Sequence, residues 1–174
     1  DLVVVGVNTD GGDEFVLAAL NYIPAGSVLF ITELGWYGLG FPFNTMGDDV
    51  YKFTVGSEAI PAGTLLEFQH GTNTKLIASD SHFGTMSLAQ GSGKMVFAGD
   101  QLFIYQTHND EYHGTIQRLD DGGNPELGII YGLNFDDGNT VGGTVTHGWV
   151  NNGTAQGTSI QATELPTNVT KLTT

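Results

Sequence analysis

The chain has no cysteine among its 174 residues. That excludes a disulfide framework, a thiolate nucleophile and an iron–sulfur site. Bound calcium can supply the missing staple in such a chain. Basic residues are scarce: five Lys and Arg stand against 19 Asp and Glu, a net charge of −14. Phosphate recognition needs a basic surface, so neither nucleic acid nor an anionic membrane is an expected partner. Divalent cations and cationic surfaces are the partners such a charge favours. Long hydrophobic runs are missing too. None approaches the about 20 residues that span a bilayer, and no basic-then-apolar leader opens the chain. Asp1 stands directly against a strand-like run, as a mature N-terminus left by signal removal would. The expected location is secreted or cell-surface, without membrane insertion.

What is present is 40% apolar residues, enough for a folded core, and 26 glycines. Without sustained helical periodicity, that mix predicts many short strands joined by turns. The stretch Asp13 to Trp36 organises the rest. Its two apolar runs, 15–20 and 28–32, flank Ile23-Pro24-Ala25-Gly26. Proline fixes φ and glycine allows positive φ, so Pro-Ala-Gly reads as a turn and the whole as strand, turn, strand: a central hairpin. The device recurs at Ile60-Pro61-Ala62-Gly63, 37 residues later, and only there. It is a reused turn and not a solenoid repeat.

Further strands are predicted at 2–7, 50–55, 65–68, 76–78, 95–97, 100–106, 127–133 and 144–150. The first, Leu2 to Val7, is continuously apolar and reads as buried on both faces. Residues 70–94 are polar and Gly/Ser-rich and promise only the short strand at 76–78. Glu164-Leu165-Pro166 is the one expected helical turn. The class is all-β, a two-sheet antiparallel β-sandwich with long Gly-rich loops and little helix, in one domain over 1–174.

The first 36 residues carry a more specific pattern: Val5-Gly6-Val7-Asn8-Thr9-Asp10-Gly11, Asp13-Glu14-Phe15, Ile23-Pro24-Ala25-Gly26, Phe30-Ile31-Thr32 and Gly35-Trp36. It resembles a module of bacterial secreted and surface-attached proteins, distantly similar to lamin-tail-type β-sandwiches. The weaker echoes Ile60-Pro61-Ala62-Gly63-Thr64, Gly99–Tyr105 and Glu164-Leu165-Pro166 extend the likeness along most of the chain. The sandwich is expected to be immunoglobulin-, lamin-tail- or jelly-roll-like; the resemblance implies a non-catalytic extracellular role and brings no catalytic residues. Glu33-Leu34 departs from the Asp-Asn the pattern often has there, which puts any metal loop supported by that Asp in doubt.

Four groups of residues are candidates for chemistry. Acidic Gly-rich turns offer oxygens to calcium, which takes six to eight of them: Asn8, Asp10, Asp13 and Glu14; Asp120, Asp121, Asn124 and Glu126; and Asp136 and Asp137, with Asp48 and Asp49 as a further pair. The same residue types are also the ordinary residues of turns. His108, Asp110, Glu111 and His113 form a dense run whose spacing suits a solvated hairpin tip better than a metal site. Trp36, Tyr37 and Phe41 can stack on a sugar, or belong to the core at a sandwich corner. Asn152 and Asn168 head glycosylation sequons. No nucleophile elbow or phosphate loop is found, so no enzyme is expected.

The function expected from the sequence is a structural or adhesive extracellular module, a self-assembling surface or filament subunit stabilised by calcium. A carbohydrate-binding module using the Trp36 loop and cell-surface glycans is the alternative. Self-assembly would run through Leu2, Val3, Val4, Val5 and Val7, a strand able to complete its own sheet or a neighbour's.

Overall fold

The structure is a computed structural model. It describes residues 2–8, 14–32, 49–70, 76–78, 81–91, 101–107, 109–112, 127–134, 140–141, 144–145 and 171–172. Every regular element among them is a strand. They are β1 (Leu2–Asn8), β2 (Glu14–Ala19), β3 (Val28–Thr32), β4 (Val50–Val55), β5 (Leu65–His70) and β6 (Leu76–Ala78). After them come β7 (Gly84–Gln90), β8 (Gln101–Thr107), β9 (Leu127–Asn134), β10 (Thr140–Val141), β11 (Thr144–Val145) and β12 (Lys171–Leu172).

Two sheets form the sandwich. One has four strands in the order β1-β2-β5-β6, the other six in the order β12-β9-β8-β3-β4-β7. Among the described residues, strands β10 and β11 pair only with each other. The β12–β9 pair is parallel, and every other described pair is antiparallel. The all-β two-sheet sandwich expected from turn spacing is therefore what the chain adopts.

The core lies between the sheets. Phe15, Leu17, Leu66 and Phe68 face inward from the four-stranded sheet, and Leu29, Ile31, Tyr51, Phe53 and Ile104 from the other. The Phe15 and Phe68 rings stack at 4.9 Å, and Phe68 meets the Phe53 edge at 5.6 Å across the gap. Strand β2 buries every second residue, the period-2 pattern of a sheet with one face in the core. Strand β3 is buried at all five positions, as suits the middle of the larger sheet.

The expected central hairpin does not form. Strand β2 pairs with β1 and β5, whereas β3 pairs with β4 and β8 in the opposite sheet. Pro24-Ala25-Gly26 carries the chain across the sandwich from β2 to β3. Pro61-Ala62-Gly63 carries it back from β4 to β5. Each closes a turn, with Ser27 N–H donating to Pro24 O at 3.3 Å and Thr64 N–H to Pro61 O at 3.2 Å. Gly26 and Gly63 hold φ of 77° and 85°, the third-residue geometry of a type II turn. The two corners also bind one another: Ile23 and Ile60 exchange backbone hydrogen bonds of 2.9 Å. A local pattern fixes a turn but not which sheet receives the next strand. A Cβ at either glycine meets nothing within 4 Å, so only backbone conformation opposes a side chain there. Gly26→Ala and Gly63→Ala should each lose about 1–2 kcal/mol in urea titrations, with unchanged m-values.

Strand β1 also departs from expectation. It is an edge strand of its sheet, and its register against β2 slips between Val4 and Gly6. The extra residue is Val5, which is exposed. The slip resets the alternation. Leu2 and Val4 face the core opposite Ala19 and Leu17, and beyond the slip Val7 joins them opposite Phe15. Val3 and Gly6 pair with Ala18 and Val16 on the outer face, both half-buried, with Val3 still touching the core. The strand is thus fully buried on one face only.

Candidate functional site

Register places the acidic connections at defined ends of the sandwich. In the six-stranded sheet Thr32 faces Val50 and Phe103, Val50 faces Gln90, and Gln101 faces Asn134. These residues mark one end of the sheet. The Pro-Ala-Gly corners join the opposite end to the β2 and β5 termini at Ala19 and Leu65. Asn8, Glu14 and His70 therefore lie at the same end of the sandwich as Thr32. From this end depart the connections 9–13, 33–48 and 135–139. The connection holding Asp120, Asp121, Asn124 and Glu126 enters β9 at Leu127, opposite Thr107, at the other end.

Of the expected calcium ligands, Glu14 and the Asn8 backbone fall within the described residues, directly opposite one another across β1 and β2. Asp10, Asp13, Asp120, Asp121, Asn124, Glu126, Asp136 and Asp137 lie outside them, as do Trp36, Tyr37, Phe41, Asn152 and Asn168. Among the described residues no three His, Asp or Glu side chains converge as a metal would require.

One acid is held in the interior at this end. Asp49 is buried immediately before β4. The Tyr51 hydroxyl donates to its Oδ2 at 3.3 Å, and the Thr32 hydroxyl to its carbonyl oxygen at 2.8 Å. A carboxyl taken out of water needs such donors, because its desolvation otherwise goes uncompensated. The arrangement pins the residue with which the chain re-enters the sheet after 33–48. Tyr131, on β9, makes a useful contrast: it is buried, yet its hydroxyl has no partner among the described residues. Burial raises its pKa above the ordinary tyrosine value. Tyr51→Phe should therefore cost about 1–3 kcal/mol, since it strips a donor from a buried acid. Tyr131→Phe should cost nothing and gain about 1 kcal/mol, since it removes an unsatisfied group. Thermal melts of both variants check the pair.

The outer face of the six-stranded sheet carries a second cluster. Phe30 and Tyr105 stack at 5.3 Å, and the Tyr112 ring lies 6.3 Å from Phe30. The Tyr112 hydroxyl donates to Gln90 Oε1. Lys52 Nζ donates to the Asp110 carbonyl at 2.8 Å and stands 6.0 Å over the Phe30 ring. Asp110 takes the left-handed conformation, φ 58°, which Asp tolerates in tight turns. Burial, reinforced by the neighbouring Tyr112, holds the Tyr105 hydroxyl far above its usual range, and burial pushes Tyr112 up to about 12. Both are neutral near pH 7, and their rings join the sheet to the 109–112 turn. Asn109, Asp110 and Glu111 are exposed, as a solvated tip requires.

No protein-family model matches the chain, and comparisons with curated proteins and with solved structures find no match either. The residues themselves carry the functional reading.

Sequence reasoning missed one surface. Five large apolar side chains are exposed among the described residues, and four of them, Val5, Leu20, Tyr22 and Leu65, belong to the four-stranded sheet or the segment leaving it. Strand register lines up Val3, Ala18 and Leu65 in one outward row, with Gly6, Val16 and Glu67 in the next. The signal was present in the unbroken apolar run Phe15–Leu20. A strand solvated on one face alternates, and this one does not.

Proposed function

We propose that this chain is a non-catalytic structural or adhesive module of a secreted or surface-attached protein, able to associate with itself. The exposed apolar outer face of the four-stranded sheet carries this reading, because an apolar patch of that kind on a folded domain marks a macromolecular contact. The net charge of −14 supports an extracellular, cation-rich setting, and the resemblance of residues 5–36 to the bacterial surface module supports the same. Native mass spectrometry and electron microscopy of the purified chain test it. A strict monomer at every concentration would remove the self-assembling part.

Calcium belongs to the proposal through the acidic connections. A ligand that binds only the native state raises stability by mass action. Adding a chelator should lower the melting temperature, and excess calcium should restore it. Identical calorimetric traces with and without chelator would take calcium out of the reading.

The carbohydrate-binding alternative rests on Trp36, Tyr37 and Phe41. A glycan array tests it directly, and binding lost in Trp36→Ala without loss of stability would make it the better reading.

A further inference from the structure

We propose that the 109–112 turn is a strap across the outer face of the six-stranded sheet, and that it governs whether the edge strand β7 stays paired. With the strap seated, β7 is held at both ends. With the strap lifted, β7 opens by itself while the rest of the sandwich stays folded. This goes beyond the structural reading above and does not depend on it, since it concerns motion within one chain.

The turn leaves β8 at Thr107, and one contact lays it down on each strand it crosses. The Tyr112 ring lies against Phe30 on β3, Lys52 Nζ on β4 donates to the Asp110 carbonyl at 2.8 Å, and the Tyr112 hydroxyl donates to Gln90 Oε1 on β7. From β8 to β7 is three strand spacings, about 14 Å. Ladder hydrogen bonds join only adjacent strands, so the strap ties together two that the ladder does not. It docks as a unit, because the turn is closed within itself. The Thr107 hydroxyl donates to the Glu111 carbonyl at 2.9 Å, and Glu111 N–H donates to Asn109 Oδ1 at 3.3 Å.

Strand β7 needs such a tie. Among the described strands it has a ladder partner on one side only, β4. Its first end is anchored: Phe83, just ahead of Gly84, packs against the core, and the Phe83 carbonyl accepts from Gly56 N–H at 2.8 Å. Met86 packs against the core as well. Beyond Met86 no β7 side chain joins the core cluster, and Ser87 and Leu88 are exposed. The ladder then slips between Val50 and Tyr51, which leaves Ala89 without a partner on β4. Gln90 lies beyond the slip, opposite Val50, and is the residue the Tyr112 hydroxyl holds. The strap thus fastens the end of β7 that neither the core nor a continuous ladder secures. Few buried apolar contacts and exposed backbone hydrogen bonds are the conditions for local opening. Were β7 to leave, β4 would present a bare ladder edge, so the strap also keeps that edge shut.

Native-state hydrogen exchange of the 174-residue chain in low urea tests this. In the unsubstituted chain, β7 amides should exchange ahead of those of β3 and β8. They should do so through an opening with a small urea dependence, the mark of a part unfolding and not the whole. Tyr112→Phe keeps the ring and removes the hydroxyl. It should speed β7 exchange about tenfold, the factor that one ordinary hydrogen bond supplies, with the small urea dependence kept. Gln90→Ala should do the same from the other side. The double variant should be no faster than either single one, because both remove the same bond. Three results overturn the proposal. The first is β7 exchanging only together with β3 and β8, at one rate and one urea dependence. The second is β7 exchange unchanged in either single variant. The third is rate increases that multiply in the double variant, which would make the two side chains independent.

Discussion

Truncating Phe68 to alanine is expected to lower stability by about 3–5 kcal/mol, the range for deleting a fully buried phenylalanine. Phe68 stacks on Phe15 within its own sheet and meets the edge of Phe53 in the other, so its loss loosens both layers at once. Two-state domains have only about 5–15 kcal/mol to lose. The variant should unfold at a much lower urea midpoint with an unchanged m-value. Phe68→Leu, which keeps most of the volume, should lose far less. Equal losses from both variants would show that aromatic geometry, and not space filling, decides the site.

Gly84→Ala is expected to be nearly as damaging, by an opposite route. Gly84 opens β7 with its Cα against the ladder. A Cβ there would collide with the Thr54 carbonyl oxygen and stand 2.9 Å from Phe53 Cε2. A side chain can swing away, but a carbonyl fixed between paired strands cannot. The cost should be about 3 kcal/mol, at the upper end for overpacking. A double variant separates the two contacts. Phe53→Leu in the Gly84→Ala background should recover little, because the carbonyl clash remains. Full recovery would place the strain in the ring instead.

How much was legible depended on how local the signal was. Val28–Thr32 and Val50–Val55 are dense in β-branched and aromatic residues, and the strands match those bounds. Strand β7, Gly-Thr-Met-Ser-Leu-Ala-Gln, has no such density, because after Gly84 it exposes or half-exposes every position and needs no apolar alternation. Only its ladder with β4 makes it a strand. The Pro-Ala-Gly repeat was legible as a turn and illegible as a crossing between sheets. That depends on Ile23 meeting Ile60, a contact that neither stretch encodes alone. The acidic ligands were chosen by residue type, and most lie outside the described residues. The surface that does present itself was concealed by its composition: Val16, Ala18 and Leu20 look like core until register turns them outward.

The extra residue in β1 has an evolutionary reading as well. Without Val5 the strand would run Leu2, Val3, Val4, Gly6, Val7, Asn8, in strict alternation and with every inward residue still opposite its present partner on β2. Losing a single codon would leave the fold intact and straighten the edge. A straight, charge-free edge strand is a template for open-ended growth. Val5 therefore guards the edge against that growth, and a single in-frame deletion separates the bent strand from the straight one.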